Sequence, residues 1–116
     1  MTILHLALES DWNAAVASGS YGVSTRGLTL DEVGFIHAST ADQVAGVAAL
    51  FYSDVTEPLR LLAINADAVR ASGTEVIFED AGDGEMFPHI YGPIDPAWVR
   101  EATPARIVRG LLVVFK

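Results

Sequence analysis

Ile3-Leu4-His5-Leu6-Ala7-Leu8, at the start of the chain, reads as a strand, and the order of elements after it decides the fold class. Strand side chains alternate, so Leu4, Leu6 and Leu8 share one face while Ile3, His5 and Ala7 share the other. His5 therefore points away from the leucine face. Ser10 is placed to cap a short helix that carries Trp12, Ala15 and Val16 on one side and ends at Gly19. Thr29-Leu30-Asp31-Glu32 has capping-box spacing, and Gly34 limits the helix it opens to about one turn. Phe35-Ile36-His37 is extended. Ser39-Thr40 then starts the longest helix, with Thr40 as N-cap and Gln43 at N3, and with Val44, Val47, Ala48 and Phe51 as its buried stripe.

Farther along, strands predominate. Leu59 to Ile64 is an apolar strand, Asp67 to Ala71 a helical turn ended near Gly73, and Val76 to Glu79 another strand. A Gly/Asp/Glu loop runs from Asp80 to Glu85. Phe87 to Tyr91 is extended, with Pro88 favouring an edge position. Asp95-Pro96-Ala97-Trp98 combines a cap, a proline at N1 and one turn. Arg106 to Phe115 reads as one final strand. Two main helices early and strands late predict an α+β fold with an antiparallel-rich sheet. A chain of 116 residues with no linker or repeat predicts a single domain over 1–116.

Composition narrows the function classes. The chain has no cysteine, which excludes disulfides, thiolate zinc sites, thiol catalysis and iron–sulfur clusters. Its apolar runs, such as Gly110 to Phe115, fall far short of the ~18–20 residues of a membrane span. No positively charged start leads into an apolar stretch. A soluble cytoplasmic protein with no membrane partner is the expectation. The net charge is −8, and nucleic-acid affinity rests largely on neutralising phosphates, so a small molecule is the expected ligand and nucleic acid is disfavoured. Six of the seven basic side chains are arginines, read mainly as solvated partners for fifteen carboxylates.

There are three histidines, each in an extended segment. Gly34-Phe35-Ile36-His37-Ala38-Ser39-Thr40 is the richest stretch: a glycine that permits close approach, a histidine at a strand end, then hydroxyls and backbone N–H groups opening a helix. Helix starts of this kind bind anions, phosphates included. The same residues also read as a plain helix cap beside a satisfied strand histidine. Phe87-Pro88-His89-Ile90-Tyr91-Gly92-Pro93 puts His89 and Tyr91 on one face, where two rings with polar tips can frame a planar group; the alternative is an ordinary edge strand. Among the acidic residues from Glu75 to Glu85, Glu79 stands out, because a carboxylate at that strand end can orient a histidine or a ribose hydroxyl. The histidine spacings lack a local zinc pattern, so no metal is assigned. Ser39 and His37 lack the G-x-S-x-G elbow of a nucleophile and base.

These stretches resemble a bacterial family known as domain of unknown function 952. The resemblance lies in His5 within Ile3-Leu4-His5-Leu6, in Asp11-Trp12-Asn13-Ala14-Ala15, in Gly34 to Ser39, and in Phe87 to Pro93. It extends to the ADP-ribosyltransferase fold, nearest its RNA 2′-phosphotransferase branch. That likeness implies a split antiparallel sheet with NAD in the cleft. It implies His5 at the cofactor's ribose and His37 near the nicotinamide ribose, with a third position near His89 or Ile90 where other branches carry glutamate. The missing glutamate argues against ordinary protein ADP-ribosylation. No arginine cluster for an RNA 2′-phosphate is evident.

These residues support three functional readings. The first is an NAD- or ADP-ribose-binding transferase or phosphotransferase-like enzyme acting at the ribose C1′. In it His5, His37 and His89 are the catalytic set, and His5, Gly34, His37, Ser39, Thr40 and Tyr91 hold the cofactor. The second is a non-catalytic nucleotide- or small-ligand-binding module. The third is a histidine-dependent metal hydrolase.

Overall fold

The alternation at the N-terminus puts two different cores on the two sides of one strand. β1 (Thr2–Leu8) buries Ile3 and Ala7 in a cluster with Trp12, Tyr21, Ile36 and Ile90. Its opposite face sends Leu6 into a second cluster with Val47, Ala48, Tyr52 and Phe87, with Leu8 at the margin. The computed structural model describes residues 1–80 and 82–115, so Ala81, inside the expected acidic loop, lies outside the described residues.

The architecture is mixed α+β, and its strand pairings among the described residues are antiparallel. β1, β5 (Leu59–Asn65), β8 (Val99–Val108) and β9 (Leu111–Val114) form one sheet in the order β1-β5-β8-β9. β4 (Ile36–His37), β7 (Met86–Ile90) and β6 (Val76–Asp80) form another in the order β4-β7-β6. β2 (Val23–Thr25) and β3 (Leu28–Thr29) make a small hairpin. The helices are α1 (Glu9–Ser18), α2 (Leu30–Val33), α3 (Val44–Phe51) and α4 (Ala66–Ala71). Trp12 and Ala15 bring α1 to the first core; Val47 and Ala48 bring α3 to the second.

The two main sheets meet at a seam. Leu4 and Ser39 exchange two backbone hydrogen bonds of 2.7 Å each. In an antiparallel ladder the next bonded pair would be Leu6 with His37. Side chains take those carbonyls instead: His5 Nδ1 lies 2.7 Å from the His37 oxygen, and the Tyr52 hydroxyl donates to the Leu6 oxygen at 3.2 Å. The strands therefore part after one bonded pair, and buried carbonyls at the split stay satisfied.

Several local expectations are corrected. α1 follows β1 directly, with Leu8 at its N-cap and no side-chain cap, so Ser10 lies inside the first turn. Val16 is 57 % exposed, because only Trp12 and Ala15 of α1 reach the core. The Thr29–Glu32 capping box forms as expected, and Gly34 caps α2 at φ 96°. α3 begins at Val44, after a turn through residues 41–43. The Thr40 N–H bonds Gln43 Oε1, but the Thr40 hydroxyl turns to Asp42 and leaves the capping box half made. The longest helix among the described residues is α1 rather than α3. Phe51, expected in the stripe, is half exposed.

The single final strand is two strands. Arg109 and Gly110, at φ 53° and 78°, make the tight turn between β8 and β9. Pro88 sits in the middle strand of its sheet, not at an edge. A residue's N and C=O point the same way from a strand, and Pro88 O accepts from Ala38 N at 2.9 Å. Its missing N–H thus faces the point where the neighbouring chain leaves to join Leu4, so the ladder loses little.

Candidate functional site

The register of β4 against β7 pairs His37 with His89, and β6 against β7 pairs Ile77 with His89 and Glu79 with Phe87. Paired residues share a face, so His37, Glu79, Phe87 and His89 lie on one side of this sheet. Ile36 and Ile90 point the other way and are fully buried. The His37 and His89 ring centroids are 5.7 Å apart.

His89 is the best-organised polar group on that face. Its Nδ1 lies 2.8 Å from Glu79 Oε1, and the Tyr91 hydroxyl donates to the same oxygen. These two hydrogen bonds hold the Glu79 carboxyl below its ordinary range, Tyr91 contributing more, while the same bond pushes the Tyr91 phenol up. An ionised carboxylate only accepts, so the Nδ1 proton stays on His89 and a neutral ring carries its lone pair at Nε2. Phe35, just before β4, stacks on the imidazole at 3.8 Å with 10° between planes. His89 is 5 % exposed.

The face opens into a cleft of about 590 Å³, walled across from it by Gln43, Gly46, Val47 and Leu50 of α3 and its approach. Phe35, Phe51 and Phe87 give it an aromatic lining, and Asp42, Asp83 and Glu85 are its carboxylates. No lysine or arginine lines it among the described residues. Both His37 and His89 do. Burial, with nearby His89 adding to the effect, pulls His37 down to about 4, so its ring is neutral at pH 7.

His5 stands behind the cleft. It is 3 % exposed, with Nδ1 on the His37 carbonyl and Nε2 2.8 Å from the Tyr21 hydroxyl. A carbonyl only accepts, so Nδ1 carries the proton and Nε2 accepts from Tyr21. Burial pulls His5 down to about 4, against the opposing pull of that carbonyl. The sequence reading sends His5 away from the leucine face; that direction is observed, but it leads into the core that holds Ile3 and Ala7. Its two nitrogens are already engaged, which leaves no ring atom for a ribose.

The remaining candidates divide. Tyr91 sits beside Phe35, 5.7 Å between centroids, but is not among the residues that line the cleft. Ser39 is buried, and its N–H bonds Leu4. The Thr40 N–H is taken by Gln43. Gly34 caps α2 in the left-handed region, and a Cβ there would stand in open space, so the cap's positive φ accounts for the glycine. The Ser39 and Thr40 N–H groups are therefore spent on protein partners, and α3 itself starts only at Val44. A pyrophosphate needs cations or free N–H donors; this cleft offers carboxylates, and the residues present do not fit the diphosphate of NAD. The three-histidine ligand set of a zinc hydrolase is not assembled either, since His5 faces the core. Among the described residues no group of three or more metal-ligating side chains gathers.

Sequence reasoning did not assign Phe35, Tyr21 or Ser24. Phe35 lay within the quoted motif, and its signal was its place one residue after a helix-ending glycine and two before His37. Tyr21 and Ser24 fell in a stretch without periodicity.

No helix of the described residues is long and apolar enough to cross a membrane. Among solved structures, the chain is similar to protein CC0527 from Caulobacter crescentus, at 26% identity and a TM-score of 0.82, covering 97% of this chain and 94% of that one. A crystal structure of a double mutant of the same protein matches equally. No curated protein matches. The family model described as "Protein of unknown function (DUF952)" matches residues 6–102, and the chain, with its His37 and His89 segments inside that span, belongs to this family.

Proposed function

We propose that the cleft binds a small molecule with an apolar body and a neutral or cationic head, and that His89 acts on it as a general base. One observation carries this: Glu79 holds His89 Nδ1–H at 2.8 Å while the ring lines the cleft. A histidine oriented by a carboxylate presents its other nitrogen as a base, and the carboxylate stabilises the imidazolium once a proton is taken. His89 Nε2 would take a proton from an O–H or N–H of the ligand. Asp42, Asp83 and Glu85 set the sign of the potential in the cleft, which attracts cations and repels anions. The aromatic wall suits a cation or a flat ring.

Titration by NMR of the whole chain with benzylamine, benzyl alcohol and benzoate tests this. Benzylamine should bind at least about tenfold tighter than benzoate, a difference of ~1.4 kcal/mol, with shifts centred on His37 and His89. Equal or tighter binding of benzoate would sink the proposal.

The second reading is the ADP-ribosyltransferase-like one, with NAD in the cleft. What favours it is the division into two main antiparallel sheets and the aromatic lining of the cleft, on which a nicotinamide ring can stack. The carboxylate lining weighs against it. NAD joins the same titration; tight binding with release of nicotinamide would make this reading the stronger, and binding without turnover would point to a non-catalytic module.

A further inference from the structure

At the seam between β1 and β4 lies a gap of about 10 Å³, lined by Leu4, His5, Ser24, His37, Ser39 and Tyr52 among others. Two polar atoms there have no hydrogen-bond partner among the described residues: Ser24 Oγ and His37 Nε2. Both are buried atoms, and Ser24 as a whole is 1 % exposed. Both residues also line the cleft on the gap's other side. A buried polar atom without a partner is strongly unfavourable, and two such atoms on residues that line one gap have a common remedy. A single oxygen that both donates and accepts needs about 10–15 Å³, which matches the space.

We infer that one water molecule is built into this gap, hydrogen-bonded to Ser24 Oγ and His37 Nε2, and that Ser24 is thereby a positioning residue for the His37 ring. Three groups then fix His37. His5 holds its carbonyl, strand pairing aligns it with His89, and the Ser24-bound water sets which ring nitrogen turns to the cleft. A water satisfies Nε2 in either tautomer, since it both donates and accepts; what it fixes is the orientation of the ring, with Nδ1 left toward the cleft. The proposal rests on the cleft reading for its functional meaning, but it concerns the ligand-free protein, so the two can fail separately.

The test uses the whole chain without ligand. A crystal structure at about 1.5 Å should show an oxygen within about 3.2 Å of both atoms. In the wild type the His37 ring should hold one orientation, read from its side-chain ¹⁵N signals and ring-proton contacts by NMR. Ser24→Ala should move the His37 ring ¹⁵N signals and weaken those contacts, while the His89 signals stay in place. Ser24→Thr, which keeps the hydroxyl, should restore the wild-type signals. Density without an oxygen in the gap overturns the proposal, and so does a Ser24→Ala spectrum in which His37 is unchanged.

Discussion

Glu79 Oε1 accepts from two donors at once, His89 Nδ1 and the Tyr91 hydroxyl, and so ties the middle strand of the small sheet to its edge strand through side chains. Replacing Glu79 by Gln keeps the shape and removes the charge. The amide can donate as well as accept, so His89 is no longer held with its proton at Nδ1. Affinity for benzylamine should fall about tenfold, ~1.4 kcal/mol, as the site loses a carboxylate and His89 loses the partner that holds its Nδ1–H. The thermal melt should stay close to wild type, because Glu79 is on the solvent side. Calorimetry with side-chain ¹⁵N spectra checks both. A variant that binds as well as wild type would remove Glu79 from the site.

Tyr21→Phe tests the other histidine. It leaves His5 Nε2 buried without a donor, at a cost of about 1–3 kcal/mol. His5→Ala should cost more, since it also frees the His37 carbonyl at the seam. Urea unfolding measures both. If His5→Ala instead melts like wild type and loses only its ligand response, His5 is a ligand-contacting residue as the family likeness implies.

The pH dependence of stability has a defined sign. His5 has its pKa pulled by burial from an ordinary 6.5 to about 4. Between those values the unfolded chain binds the proton and the folded chain does not, so stability falls as pH drops from about 6.5 and the loss is complete near 4. A displacement of that size corresponds to ~3 kcal/mol from His5, and His37, lowered in the same direction, adds to it. Urea unfolding at pH 7, 5.5 and 4 measures the total. In His5→Asn the fall should be smaller by roughly the His5 share; an equal fall would assign the effect elsewhere.

The β8–β9 turn offers a stabilising change. Arg109 is a non-glycine residue at φ 53°, where asparagine is better tolerated than arginine. Arg109→Asn should raise stability by about 0.5–1 kcal/mol, and Gly110→Ala should lower it by about 1 kcal/mol. Thermal melts of both variants decide it. No gain in the first would mean that the turn carries no strain.

How much of this could be read in advance depends on how local each determinant is. Helix ends with glycine at positive φ, the Thr29–Glu32 box and the Asp95 cap are settled within a few residues, and all were legible. The shared face of His89 and Tyr91 came from strand alternation, and the placing of Glu79 beside a histidine came from its position at a strand end. The fate of His5 was not legible. Alternation tells which way a side chain points, but not whether α1 and Tyr21 wait there. Ser39 and Thr40 misled for the same reason: their backbone donors are spent on Leu4, far away in sequence, and on a side chain one turn ahead. The Arg109 turn was missed because arginine is a rare choice in that conformation, and the two strands it joins merge into one apolar run.

The single bonded pair between Leu4 and Ser39 behaves like the last closed tooth of a fastener. One tooth farther, the His5 imidazole works as a wedge, giving the parting strand a side chain where it would have met a backbone. The void beyond that wedge is where the cleft begins. A chain that packed an aliphatic residue at this position would leave the His37 carbonyl seeking the facing strand, and the two sheets would tend to knit together at the cleft's expense. The first strand thus shapes the cleft from behind.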